Sequence, residues 1–172
     1  MTQHNQQTGF TLIELLIVIA ITAIIVIITI VNSREGDKIL AVDLSAQRIV
    51  AALREAQNDA LGGKTVGGNH PAGGFGVHIK EGEPIYIFAD INQDHVYNDG
   101  EEQQTINLEE NAILQTGTNM DVSFVAPTPD VYTNGGPLGT FSTITITITS
   151  SDGSYTQIVN VNYVGAIWVE YL

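Results

Sequence analysis

The sequence predicts an α+β protein, with a long N-terminal helix, membrane-spanning in its first half, packed on an antiparallel β-sheet or β-sandwich domain. Three observations carry that expectation. An uncharged run of Leu, Ile, Val and Ala extends from Leu15 to Val31 and is broken only by Thr22 and Thr29. Beyond Gly36, apolar residues recur at Val42, Ala46, Ile49, Leu53, Ala56 and Ala60, in steps of four and three that keep them on one helical face. Further on, Thr alternates with Ile144, Ile146 and Ile148 over residues 143–149, the period of a half-buried strand.

A bilayer-spanning helix needs about 20 apolar residues. Residues 12–31 supply that length, and a polar leader, Met1 to Thr8, precedes them and ends at Gly9. The order is the reverse of an ordinary secretory signal, in which a small-residue cleavage site comes after the apolar stretch. Glu14 stands inside the run, where an uncompensated charge costs about 2.5 to 3.5 kcal/mol on insertion scales. Some partner for that carboxylate is therefore expected.

With 172 residues, the chain has room for one globular domain besides the anchor. The division expected is a leader at 1–9, a helix over 10–61 with its transmembrane segment at about 12–31, and a β-rich domain over 62–172. The pair Gly62-Gly63 stops the helix, and Gly67-Gly68 and Gly73-Gly74 mark the segment up to residue 74 as a loop. Strands are expected at 75–79 and 85–89, at 122–125 and at 143–149. A turn at Ser151-Asp152-Gly153 then leads to strands at 155–161 and 166–171. Trp168 and Tyr171, on that last strand, are expected in the core, and residues 130–139, with Thr133, Asn134, Gly135 and Gly136, read as a long loop.

The formal net charge of −13, with only six Lys and Arg, opposes the phosphate neutralisation that nucleic-acid binding relies on, so DNA and RNA are not expected partners. The absence of cysteine removes disulfides, thiolate metal sites and thiol nucleophiles. His4, His70, His78 and His95 lack metal-ligand spacing and read as surface or loop residues, and no serine lies in a Gly-x-Ser-x-Gly setting. No enzyme activity is expected.

The densest chemistry lies in residues 90–102, which hold five acids, Asp90, Asp94, Asp99, Glu101 and Glu102. Oxygen side chains at Asp90, Asn92 and Asp94 occupy loop positions one, three and five, Val96 offers a carbonyl at seven, and Glu101 stands at twelve. Hard oxygens wound about one centre suit calcium, and these residues, with Asp99, are the candidate metal ligands. His95 departs from the helix-loop-helix calcium loop, which has Gly at position six for its sharp turn. Asp, Asn and Gly are also ordinary turn formers, so a solvated acidic hairpin loop is the alternative.

The stretch Gly9-Phe10-Thr11-Leu12-Ile13-Glu14-Leu15-Leu16-Ile17-Val18-Ile19-Ala20 resembles the class III signal and N-terminal helix of type IV pilins and pseudopilins. The resemblance implies cleavage after Gly9 by a prepilin peptidase and N-methylation of Phe10. It also implies a role for Glu14 in filament assembly, through pairing with the N-terminal amine of a neighbouring subunit. Pilin leaders usually carry Lys or Arg, whereas this one has only His4, and Arg34 and Lys38 lie on the far flank. The positive-inside rule alone would invert the chain, and the motif decides the orientation.

A helix ending in Arg54-Glu55-Ala56-Gln57-Asn58-Asp59-Ala60, a Gly-rich approach to Phe75-Gly76-Val77 and a terminal strand-turn-strand over 158–167 are similar to the H-type minor pseudopilins of type II secretion. That likeness implies a structural subunit of a secretion pseudopilus. It would be single-pass in the inner membrane, with its C-terminal domain periplasmic or extracellular. Its expected partners are prepilin peptidase, other pilin or pseudopilin subunits, the inner-membrane assembly platform and membrane lipid. The alternatives are a minor type IV pilin of adhesion, motility or DNA uptake, and a calcium-dependent surface-binding module on a pilin anchor.

Overall fold

The computed structural model describes residues 10–171 except 116, 118 and 129, with the side chains of 31–34 left aside. The expected leader, with Gly9, lies outside the described residues. One helix, α1, spans Leu12–Leu61, and the chain divides into two compact units, Met1–Asp37 and Lys38–Leu172.

In the first unit, the described apolar side chains are exposed, and the helix contains an 18-residue window of mean hydropathy 3.1. The two threonines of this run donate to carbonyls one turn back, Thr22 to Val18 at 2.7 Å and Thr29 to Ile25 at 2.9 Å. Such bonds satisfy a hydroxyl within the helix, as apolar surroundings require.

In the second unit, α1 turns the predicted stripe inward, and Val42, Ala46, Ile49, Leu53, Ala56 and Ala60 are all buried. The helix ends in a paired C-cap. The Lys64 N–H reaches the Asp59 carbonyl at 3.0 Å and the Gly63 N–H the Ala60 carbonyl at 3.2 Å, with Gly63 at φ 65°. A left-handed residue at this position is what closes the motif, and glycine adopts it without steric cost.

Among the described residues the β domain holds ten strands in two antiparallel sheets. The first runs in the order β3 (Glu102–Ile106), β2 (Ile85–Ala89), β1 (Phe75–Ile79), β5 (Met120–Val125), β6 (Asp130–Thr133), β7 (Gly136–Pro137). The second has the order β10 (Ile167–Tyr171), β9 (Thr156–Asn162), β8 (Thr143–Ser150), β4 (Ala112–Leu114). One core joins the α1 stripe to Phe75, Val77, Val122 and Phe124 of the first sheet and Ile146, Ile148, Val159 and Val161 of the second. The alternation in β8 does what its period predicts, with Ile144, Ile146 and Ile148 buried. At the sheet margin Arg48 holds the segment before β4, donating to the Asn107 carbonyl at 2.7 Å and pairing with Glu109.

Three expectations are corrected. Residues 130–139 are not a long loop, because β6 and β7 pair through Asn134 and Gly135, at φ 47° and 83°. That Asn-Gly pair is the signal of a two-residue hairpin turn and was legible in the sequence. His78 is not a surface or loop residue. It lies buried in β1, its Nδ1 2.7 Å from Asp121 Oδ1. Finally, Trp168 and Tyr171 are exposed, because β10 is the sheet's outermost strand.

Candidate functional site

The start of α1 is organised by Thr11 and Glu14. The Glu14 N–H donates to Thr11 Oγ1 at 3.3 Å, while the Thr11 N–H and hydroxyl donate to Glu14 Oε2 at 3.2 and 3.1 Å. This reciprocal pair is a capping box, in which an N-cap threonine and a glutamate three residues on satisfy helix-end donors that nothing else bonds. Thr11 was not foreseen as a functional residue, although Thr-x-x-Glu before an apolar run signals it. Phe10 stands exposed one residue ahead, and Glu14 Oε1 takes no hydrogen bond among the described residues. The capping box thus fixes the Glu14 carboxylate in the first helical turn after Phe10, the residue that cleavage after Gly9 would make N-terminal.

The family model described as the prokaryotic N-terminal methylation motif matches residues 4–30. The match supports a type IV pilin-like protein. No curated protein and no solved structure matches the chain. The motif implies processing by prepilin peptidase and assembly with other pilin subunits, and with the apolar helix it fits an inner-membrane-anchored pilin.

The second feature of the chain is the acidic loop between β2 and β3. Asp90, fully buried, accepts the Gln93 N–H on Oδ1 at 2.7 Å and the His95 N–H on Oδ2 at 2.9 Å. Its room comes from Gly73, where a Cβ would fall 1.8 Å from Asp90 Oδ2. Glu101, also buried, accepts the Ile91 N–H and the Asn98 N–H, each at 3.1 Å, and so clamps the two ends of the loop. Between them Asn92 and Asp94 bond to each other, and Asp94 also accepts from the Val96 N–H and the Asn98 amide, both at 2.9 Å. The Val96 carbonyl accepts from the Asn98 side chain.

Desolvation raises the Asp94 pKa, but the hydrogen bonds from Val96, Asn98 and Asn92, with His95 nearby, outweigh it and leave the net shift downward from 3.8. Its ionised form therefore stabilises the folded loop above that value, and the contribution is lost as pH falls through the lower folded value.

The structure thus places Asp90, Asn92, Asp94, Val96 and Glu101 along one loop tied by its own hydrogen bonds, with Asp99 exposed. Among the described residues no group of three or more His, Asp or Glu is spaced to hold a metal ion. His95 at position six takes φ 58°, the left-handed turn that glycine provides in calcium loops.

The underside of the loop was not foreseen. The His95 ring stacks on Tyr132 with centroids 3.8 Å apart, its Nδ1 lying 3.1 Å from Asp90 Oδ2. Tyr97 packs among His78, Tyr86 and Phe88 at 4.7, 5.3 and 5.9 Å. Desolvation there, with Glu102 and Asp99 close by, pushes the Tyr97 hydroxyl pKa up. The loop therefore roofs the outer face of the first sheet. The signal lay in β1 and β2, whose Phe-Gly-Val-His-Ile and Ile-Tyr-Ile-Phe-Ala runs are too continuously apolar for strands with one wet face.

Proposed function

We propose that the chain is a minor pseudopilin, a structural subunit of a type II secretion pseudopilus and not an enzyme. The observation that carries this reading is the methylation motif at residues 4–30, which runs into α1, a helix apolar in its first half and amphipathic in its second. The H-type likeness of residues 54–60, 75–77 and 158–167 supports the secretion role over a minor type IV pilin. In this reading Gly9 and Phe10 form the cleavage and methylation site, and Glu14 pairs with a neighbour's Phe10 amine in the filament. The chain crosses the inner membrane once, contacts lipid and the assembly platform, and carries its C-terminal domain on the periplasmic or extracellular side. Deleting the gene and measuring secretion, twitching and transformation in parallel tests the choice. Loss of secretion alone is expected, and loss of twitching or transformation with secretion intact would move the chain to a type IV pilus.

We propose further that the loop closes on one calcium ion, which draws Asp90, Asn92, Asp94, the Val96 carbonyl and Glu101 together from the wider spacing they have here, a closure that the left-handed turn at His95 supports. Asp90 Oδ1, Asp94 Oδ1 and both Glu101 oxygens each accept one N–H and keep a further lone pair, whereas Asp94 Oδ2 accepts from the Asn92 and Asn98 amides and would exchange one of them for the ion. Because that turn falls on His rather than Gly, affinity should be on the order of 10⁻⁴ to 10⁻³ M, as in extracellular modules. Calcium at ten times its Kd then stabilises the fold by about 1.4 kcal/mol. Melting of the full chain in detergent should rise in millimolar calcium relative to chelator and change little with magnesium, and Asp94→Ala should remove most of the rise. Equal melting in calcium and chelator would leave the loop an acidic turn.

A further inference from the structure

Among the described residues β10 is the outer strand of its sheet and bonds only to β9. Ile167 stands opposite Val161, Val169 opposite Val159 and Tyr171 opposite Gln157. The Asn162 N–H donates to the Ala166 carbonyl at 3.1 Å, so 162 and 166 are a hydrogen-bonded pair. Since such pairs alternate along an antiparallel ladder, Trp168 and Glu170 turn their backbone groups to β9, while Ile167, Val169 and Tyr171 turn theirs to the free edge.

The other edges are guarded. β3 is polar and paired to β2 through a register shift between Ile87 and Phe88. β4 has three residues, and its Ala112 N–H is taken by the Glu109 carbonyl. β7 has two residues, one of them Pro137. β10 has no proline, lysine or bulge, and its Trp168 is 41% and its Tyr171 70% exposed. Natural sheets seldom leave such an edge open without use, because its free N–H and C=O groups template a further strand.

We infer that β10 is a docking edge, to which a partner protein adds an extended segment of alternating apolar and basic residues. Ile167 and Val169 pack against the core, so the added strand's side chains on that face must be apolar. On the opposite face stand Trp168 and Glu170, an aromatic ring and a carboxylate that together suit Lys or Arg, and the chain's −13 charge favours the same sign. A second copy does not fit, because none of its edge strands, Glu-Gln-Gln-Thr-Ile, Ala-Ile-Leu, Gly-Pro and Ile-Trp-Val-Glu-Tyr, contains Lys or Arg.

Trp168 is the chain's only tryptophan, so its emission reports the edge directly. The test titrates a synthetic nine-residue peptide of alternating Val and Lys into the full chain in non-ionic detergent at physiological salt. A saturable blue shift is expected, with at least tenfold weaker binding for Val169→Pro, which deletes an edge-facing N–H without breaking the β9 ladder. Glu170→Lys, which keeps every backbone group, should also weaken binding at least tenfold, and it decides the matter should Val169→Pro fail to melt like wild type. Equal affinity for Glu170→Lys, equal affinity for a folded Val169→Pro, or an unmoved Trp168 emission would overturn the inference. So would concentration-dependent self-association abolished by Val169→Pro, which would make a second copy the occupant.

Discussion

Replacing Glu14 with Ala is expected to leave the subunit in the membrane and remove it from filaments. Insertion becomes easier, because the acid costs about 2.5 to 3.5 kcal/mol in the bilayer. The Glu14 half of the capping box, its bonds from the Thr11 N–H and hydroxyl, is lost as well, at about 0.5–1.5 kcal/mol, while the backbone N–H of residue 14 can still donate to Thr11 Oγ1. In the proposed assembly the larger loss is the partner of a neighbour's Phe10 amine. Breaking a buried pair from one side costs about 3–5 kcal/mol, on the order of a 100-fold or greater fall in incorporation. Glu14→Gln separates the two contributions, since glutamine still completes a capping box but carries no charge. Incorporation of Glu14→Gln into sheared filaments should fall as far as that of Glu14→Ala. Wild-type levels for the glutamine variant would reduce Glu14 to a helix cap.

Asp90→Ala should be the most damaging single change in the acidic loop. The carboxylate is buried and takes the N–H groups of Gln93 and His95, and its removal strands both donors at about 1–3 kcal/mol each. A loss of about 2–5 kcal/mol, or about 10 °C in melting temperature for a unit of this size, is expected by circular dichroism of the full chain. Asp99→Ala is the matched control. Asp99 is exposed and accepts no hydrogen bond from the loop, so its loss should stay within about 0.5 kcal/mol. Equal melting of the two variants would mean that the loop does not depend on the Asp90 clamp.

Where one physical period dominated, the fold was legible. The 42–60 stripe could form only an amphipathic helix, and the Thr–Ile alternation over 143–149 only a strand with one dry face. Strands β3 and β4 escaped because neither has a period to read. β3 is polar except for Ile106 and lies at an edge, while β4 is three residues long. At the N-terminus Phe10 and Glu14 were visible as a motif, whereas Thr11 enters through a hydrogen bond that only the helix start creates. In the acidic loop, sequence spacing identified the oxygen-bearing residues but not what they hold. Asp90 and Glu101 bind backbone N–H groups of their own loop, an outcome that depends on how β2 and β3 bring residues 90 and 101 together. His95 and Tyr97, read only as loop residues, proved to anchor the loop because Tyr132 and His78 project from strands distant in sequence, and Tyr86 from β2 just before it.

The most direct test of the central claim is the N-terminal mass of the protein extracted from membranes that contain a prepilin peptidase. A pilin-like subunit should have lost residues 1–9 and begin with Phe10 carrying one added methyl group, and a peptidase-deficient strain should retain the leader. An intact Met1 terminus in the peptidase-containing strain would contradict the account.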